Sequence, residues 1–226
     1  MKYLKLKQGK RSNTNYGSFT DNRDNETYGW VKIGDQVWMT ENLRFEPDNY
    51  IGGQPAWDSL NNKDVAWCWY ENQKSNKNTH GVFYTFEAAL VACPDGWHLP
   101  TIDEWNKLRK YLVKNGFSSD TSVSYTMIGK SLAHKKEWSG VNTHEDDVGF
   151  EAKKNNSTGF SGLPSGIRQE NGLFQYQDMY AAWWSSSTMD ANRAYYVSLS
   201  FNTPEIKNEL GKKTKGICVR CLMDKD

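Results

Sequence analysis

No stretch of this 226-residue chain approaches the roughly 18 consecutive apolar residues of a membrane span. No run of like charge forms a tail, and 28 Lys and Arg against 27 Asp and Glu leave a net charge of only +1. That balance excludes the electrostatic footprint of a nucleic-acid binder or of a protein held on anionic lipid. The one local excess, Lys2, Lys5, Lys7, Lys10 and Arg11, is too short to act alone. The same segment begins like a secretion signal but has no apolar centre and no small-residue cleavage site. The chain is therefore expected to be cytoplasmic or to have had such a signal removed. There is no Pro- or Ser-rich linker and no internal repeat. Residues 17–226 read as one domain behind a flexible segment of residues 1–16. Four cysteines are too few for a disulfide scaffold; they suit one or two staples in an oxidising compartment, or buried thiols.

What is abundant is aromatic. Ten Trp, twelve Tyr and nine Phe supply core area that aliphatic residues would otherwise supply, although mean hydropathy is low. Val31 and Ile33, then Val37 and Met39, alternate with polar and indole positions around Gly34-Asp35, predicting a hairpin with a two-residue turn. VAWCWY and GVFYTF read as short strands. Residues 86–93 predict a helix with Phe86, Ala89, Leu90 and Cys93 on one face, stopped by Pro94. TIDEWNKLRKYLVKNG predicts the clearest helix: Thr101 and Glu104 form a capping box, Trp105, Leu108 and Leu112 the buried stripe, and Gly116 the stop. A short helix is expected in GKSLAHK, and short strands with turns after Gly159.

Residues with chemical potential have ordinary structural explanations. Glu104 stands where a helix start needs it, and Asp103 favours the helix dipole. His98 alternates with Trp97 and Leu99, the pattern of a half-buried strand residue. Cys218 and Cys221 have the spacing of a zinc half-site or redox dithiol, but their β-branched neighbours predict a strand. A strand points positions i and i+3 to opposite faces, which gives the two sulfurs separate partners. No nucleophile elbow and no phosphate-cradling glycine loop is present. TDNRDNE and HEDD could offer oxygens to calcium but match no calcium loop, and read as solvated turns. Glu46-Pro47-Asp48 is similar to the carboxylate-proline motif of calcium-dependent lectins, yet lies near the first hairpin, whereas those lectins carry it in the later half. No metal and no cofactor is expected. Trp67 and Trp69 share a strand face, while adjacent Trp183 and Trp184 must face opposite ways.

Five segments in order, GSFTDNRDNETYGWVKIGDQVWMTENL, HGVFYTFEAALVACPDGWHLPTIDEWNKL, GFSGLPSGIR, AAWWSSST and GICVRCLMD, resemble the Fibrobacter succinogenes major paralogous domain family over residues 17–224. That family occurs on secreted and surface proteins of Bacteroidetes and Fibrobacteres. Cys218 stands where the family commonly has Ser, and the further cysteine its members tend to carry after WCWY is absent, so Cys68 lacks its local partner. The family in turn resembles the C-type-lectin-like and formylglycine-generating-enzyme group. The resemblance implies an α+β fold with two main helices, short antiparallel sheets, paired N- and C-terminal strands and long loops in the later half. It also implies a disulfide from Cys93, at the end of the first helix, to Cys221 on the last strand. The copper-binding cysteine pair of the formylglycine enzymes has no counterpart between residues 94 and 217. The implied function is a non-catalytic extracellular or cell-surface domain that binds a glycan or protein. Its expected contacts are Tyr176, Asp178, Tyr180, Asp190, Asn192, Arg193 and Asn202, polar and aromatic tips of turn-rich segments. Lectin-like families also serve as variable targets of diversity-generating retroelements, which mutate this late segment. The alternatives are an oxidase of the formylglycine type and a structural or adhesin subunit.

Overall fold

The structure, a computed structural model, describes residues 15–48, 51–52, 57–118 and 127–225. Residues 1–14 of the expected flexible segment and residues 119–126 of the Ser/Thr-rich loop lie outside those residues, while Tyr16, expected in the flexible segment, already stands in a strand. Strands β1 (Tyr16–Thr20), β2 (Thr27–Ile33) and β3 (Gln36–Met39) form an antiparallel meander. The predicted turn is present, with Gly34 at φ +65° and Ile33 opposite Gln36. Its faces differ from the expectation. A two-residue turn sets position i against i+3 on one face, so Val31 and Ile33 share a side with Trp38 and Gln36, not with Val37 and Met39. The buried Gln36 amide accordingly donates to Glu104 O at 3.0 Å. β1, half exposed and without strong alternation, carries no sequence signal.

The chain continues through β4 (Trp67–Cys68), α1 (Lys77–His80), β5 (Phe83–Tyr84), α2 (Phe86–Leu90), β6 (Trp97–His98), α3 (Ile102–Lys114) and α4 (Gly129–Leu132). α2 is shorter than expected. Proline disfavours helical geometry in the residue before it, and the helix ends three residues ahead of Cys93. Leu90 is consequently exposed, and the buried face is Phe86, Ala88 and Ala89. α3 agrees with the sequence in full. Thr101 Oγ1 accepts from Glu104 N at 3.2 Å, Glu104 Oε2 accepts from Thr101 N at 2.8 Å, and Trp105, Leu108 and Leu112 are buried. Replacing Thr101 by Ala is expected to cost about 1 kcal/mol, read as a lower urea midpoint at unchanged slope.

The later half contains β7 (Ile167–Arg168), β8 (Phe174–Gln175), β9 (Tyr180–Thr188), β10 (Arg193–Ser200), β11 (Ile206–Lys212) and β12 (Leu222–Met223). β9, β10 and β11 form an antiparallel sheet ordered β11-β10-β9. Residues 216–223 then run through the molecule and close it. Gly216 bridges Arg168, Ile217 bridges Tyr84, and Cys218 bridges Trp183. Further on, Val219 O accepts from Leu43 N at 2.9 Å and Cys221 O from Met39 N at 3.1 Å. Leu222 finally pairs with both Trp38 and His98, completing a sheet ordered β1-β2-β3-β12-β6. The first hairpin and the last strand are thus joined, and the content is α+β.

β9 and β10 lie between two hydrophobic clusters. Trp183, Val197 and Leu199 enter one with Trp38, Trp105 and Phe160; Trp184, Ala194 and Tyr196 enter the other with Tyr84 and Phe86. The adjacent indoles do face opposite ways, and Trp67 meets Trp69 edge-on at 5.2 Å. Removing an aromatic of roughly 150–250 Å² from water is worth about 4–6 kcal/mol, so indoles substitute for missing aliphatics. Arg220 is fully buried between the strands. Its guanidinium donates to Phe160 O (2.5 Å), Asn42 Oδ1 (2.9 Å), Met39 O (3.2 Å) and Ser161 O (3.4 Å), and lies 4.6 Å from the Phe160 ring centre. Burial lowers its pKa to about 9, which keeps it charged at neutral pH. No helix among the described residues is long and apolar enough to cross a membrane.

Candidate functional site

The three-stranded sheet builds a cleft from its register. Tyr180 lies opposite Ser200; Ala182, Ser198 and Lys207 form the next row; Trp184, Tyr196 and Glu209 the row after. All of these share one face. Phe86 of α2 packs edge-on against Trp184 at 5.6 Å and covers that end. The other end stays open as a cleft of about 350 Å³. Its floor is Tyr180, Ser198, Ser200, Lys207 and Glu209, and its wall is Asn202, Thr203 and Glu205 from the β10–β11 turn. The floor stands on paired strands, which hold side chains more precisely than loops do.

Hydroxyls dominate the floor. Tyr180, Ser198 and Tyr196 share this face of the sheet. Burial raises the pKa of both tyrosines, so each retains its proton and can donate. Lys207 Nζ pairs with Glu205 Oε2 at 3.2 Å, and Ser200 Oγ donates to Asn202 Oδ1 at 2.9 Å. At the rim, Tyr176 is 52% exposed, with its ring 6.1 Å from that of Tyr180.

The seven residues expected to make contacts do not form one site. Tyr180 and Asn202 line the cleft, with Tyr176 at its rim. Asp178 stands beside them in the turn before β9, where its N–H donates to Pro164 O at 2.9 Å. Asp190, Asn192 and Arg193 sit at the far end of β9, roughly 25 Å away along the strand. There they line a second, open groove of about 700 Å³ with Asn61, Asn62, Glu170 and Lys212 among others. Asp190 is engaged by its own turn: Oδ1 accepts from Asn192 N and Arg193 N, and Oδ2 pairs with Arg193 at 2.7 Å. Sequence reasoning missed Ser198, Ser200, Lys207 and Glu209. The alternation Ser198-Leu199-Ser200 was a usable signal, since a strand with one polar row has one accessible face.

Other groups with chemical potential serve the frame. Cys93 and Cys221 form a disulfide. Cys68 and Cys218 remain free and buried. Both lie opposite Phe83, Cys68 on one side and Cys218 on the other, given that Tyr84 pairs with Ile217. Two strand spacings, about 10 Å, separate them, beyond disulfide reach. Burial pushes the Cys68 thiol up to about 11 and the Cys218 thiol up to about 12, which leaves both protonated and unreactive. Asp21 in TDNRDNE is buried rather than solvated: it pairs with Arg23 at 2.7 Å, and Arg23 reaches Ala92 O. Asp147 in HEDD accepts from His144 N at 2.7 Å, and Glu46 accepts from Trp69 Nε1 at 3.0 Å. Among the described residues no group of three or more His, Cys, Asp or Glu is arranged to hold a metal.

His98 is half-buried in β6, as expected, and both its nitrogens are occupied. Nδ1 meets Asp224 Oδ1 at 2.6 Å and Nε2 meets Glu104 Oε1 at 2.9 Å. Burial opposes the Glu104 carboxylate, but hydrogen bonds from Thr101 and His98 outweigh it and hold the pKa below the ordinary 4.5. A carboxyl depressed on folding adds stability that is present above the unfolded pKa and lost as pH falls through the folded one. Glu104→Gln is therefore expected to flatten the acid limb of stability below about pH 4.5, measured as urea midpoints between pH 7 and pH 3. An unchanged acid limb would contradict it.

A family model described as the Fibrobacter succinogenes major domain matches residues 31–223. No curated protein and no solved structure matches the chain.

Proposed function

The chain belongs to the Fibrobacter succinogenes major domain family, and on that premise we propose that it is a non-catalytic, extracellular or surface-associated domain of C-type-lectin-like fold that binds a glycan. The observation that carries this reading is the open half of the β9–β10–β11 face. Tyrosine and serine hydroxyls, an amide and carboxylates converge there on a rigid floor, with an exposed aromatic at the rim. Sugars need that combination: hydroxyls exchange paired hydrogen bonds with neutral and acidic acceptors, and an aromatic face covers the apolar side of the ring. The lectin-like fold is supported by the union of first hairpin and last strand through β3 and β12, and by the Cys93–Cys221 bridge. The bridge also favours an oxidising compartment. Two protonated, separated thiols argue against an oxidase that works through a metal-binding cysteine pair.

The test is a glycan-array screen with and without calcium, followed by titration of the best binder against Tyr176→Ala. Tyr176 is exposed, so the variant should fold normally and bind roughly 2- to 10-fold more weakly. Uniform silence on the array would move the reading to a protein ligand or to a structural, adhesin-like role.

A further inference from the structure

We infer that the cleft selects neutral glycans and rejects those bearing carboxylate or sulfate groups, with Glu209 as the residue that discriminates. This deepens the glycan reading and rests on it.

The inference follows from which charges the cleft can offer. Three ionisable chains other than tyrosine line it, Glu205, Lys207 and Glu209. The single cation is already paired, with Lys207 Nζ 3.2 Å from Glu205 Oε2. Glu209 makes no ion pair among the described residues. It stands in the row of Tyr196 and Trp184 on the cleft face, next to the row of Ser198 and Lys207. A buried cation does reach this strand: Arg109 of α3 donates to Asn208 Oδ1 at 2.5 Å. Asn208 alternates with Lys207 and Glu209 and therefore points to the opposite face. Arg109 cannot meet a ligand in the cleft.

An entering group thus finds a net negative site with free acceptors. A vicinal diol can donate two hydrogen bonds to the two oxygens of one carboxylate, and charge-assisted bonds of that kind are the strong ones. A uronate or sulfate brings a second anion to a site with no uncommitted cation, and like charges at short range disfavour binding. Glu205 cannot take the discriminating role equally, because its charge is balanced by Lys207.

The experiment is isothermal titration with matched probes, tetragalactoside against tetragalacturonate and tetramannoside against tetramannuronate, on the wild type, Glu209→Gln and Lys207→Gln. Thermal unfolding checks that each variant folds; Lys207 is exposed and replacing it leaves the core intact. The wild type is expected to bind one neutral member at least 10-fold tighter than its uronate. Glu209→Gln should weaken the neutral ligand roughly 10- to 100-fold and erase most of the discrimination. Lys207→Gln should widen it by freeing Glu205. Uronates bound as tightly as neutral sugars, or discrimination unaltered in Glu209→Gln, would overturn the selectivity and leave the glycan reading standing. Silence for every probe, together with silence on the array, would overturn both.

Discussion

Removing the Cys93–Cys221 bridge, by the double substitution Cys93→Ala and Cys221→Ala, lowers the unfolding free energy by about 5 kcal/mol. The expected size comes from the loop it closes. The two cysteines are 128 residues apart, and in the chain-entropy account a loop of that length restrains the unfolded chain by about 5 kcal/mol. A domain with about 5–15 kcal/mol in total would be left marginal or unfolded at ambient temperature. Replacing both residues avoids adding an unpaired thiol to the two free ones, Cys68 and Cys218. Guanidinium unfolding of the double variant, and of the wild type with reductant, measures the effect. A midpoint within error of the oxidised wild type would mean that the sheet holds the closing segment unaided.

Replacing Arg220 by Met is expected to cost about 3–5 kcal/mol while keeping most of the side-chain volume. The guanidinium serves four acceptors: the carbonyls of Met39, Phe160 and Ser161 and the amide oxygen of Asn42. Each buried acceptor left without a donor costs about 1–3 kcal/mol, less whatever water or relaxation restores. Asn42 Oδ1 keeps a second donor, Trp183 Nε1 at 2.9 Å, so the backbone carbonyls bear most of the loss. Arg220→Lys should recover less than half, because an ammonium group lacks the planar fork that spans acceptors on separate segments. Full recovery by Lys would show that the position needs a charge and not a fork. Equilibrium urea unfolding of both variants decides it.

The sequence made the local devices legible and left the non-local ones hidden. α3 could be read because its cap and its stripe all lie within one short window. The turn at Gly34-Asp35 was equally readable, but the buried face was not, because alternation counted straight through a two-residue turn places Val37 where Trp38 belongs. β11 escaped because an edge strand pairs on one side only. Ile206–Lys212 reads IKNELGK, with Lys, Asn and Glu where an interior strand would place β-branched residues. Missing β11 hid the cleft, since Lys207 and Glu209 enter it only through their register with Ser198 and Tyr196. Six of the expected contact residues are exposed and Tyr180 is half-buried at the start of β9, but turns at opposite ends of one hairpin cannot converge on a single ligand. The Cys93–Cys221 pairing came from the family resemblance and agrees with the structure.

The course of residues 216–223 bears on the timing of folding. Whatever follows Asp226, this segment leaves the ribosome after every strand it pairs with. Until it arrives, β3 and β6 have no partner between them, and Cys93 lacks the sulfur of Cys221 that it bonds in the folded domain. The domain is closed by a latch that is made last, so its assembly waits for nearly the whole chain, and its rate should follow the slow regime of long-range strand pairing.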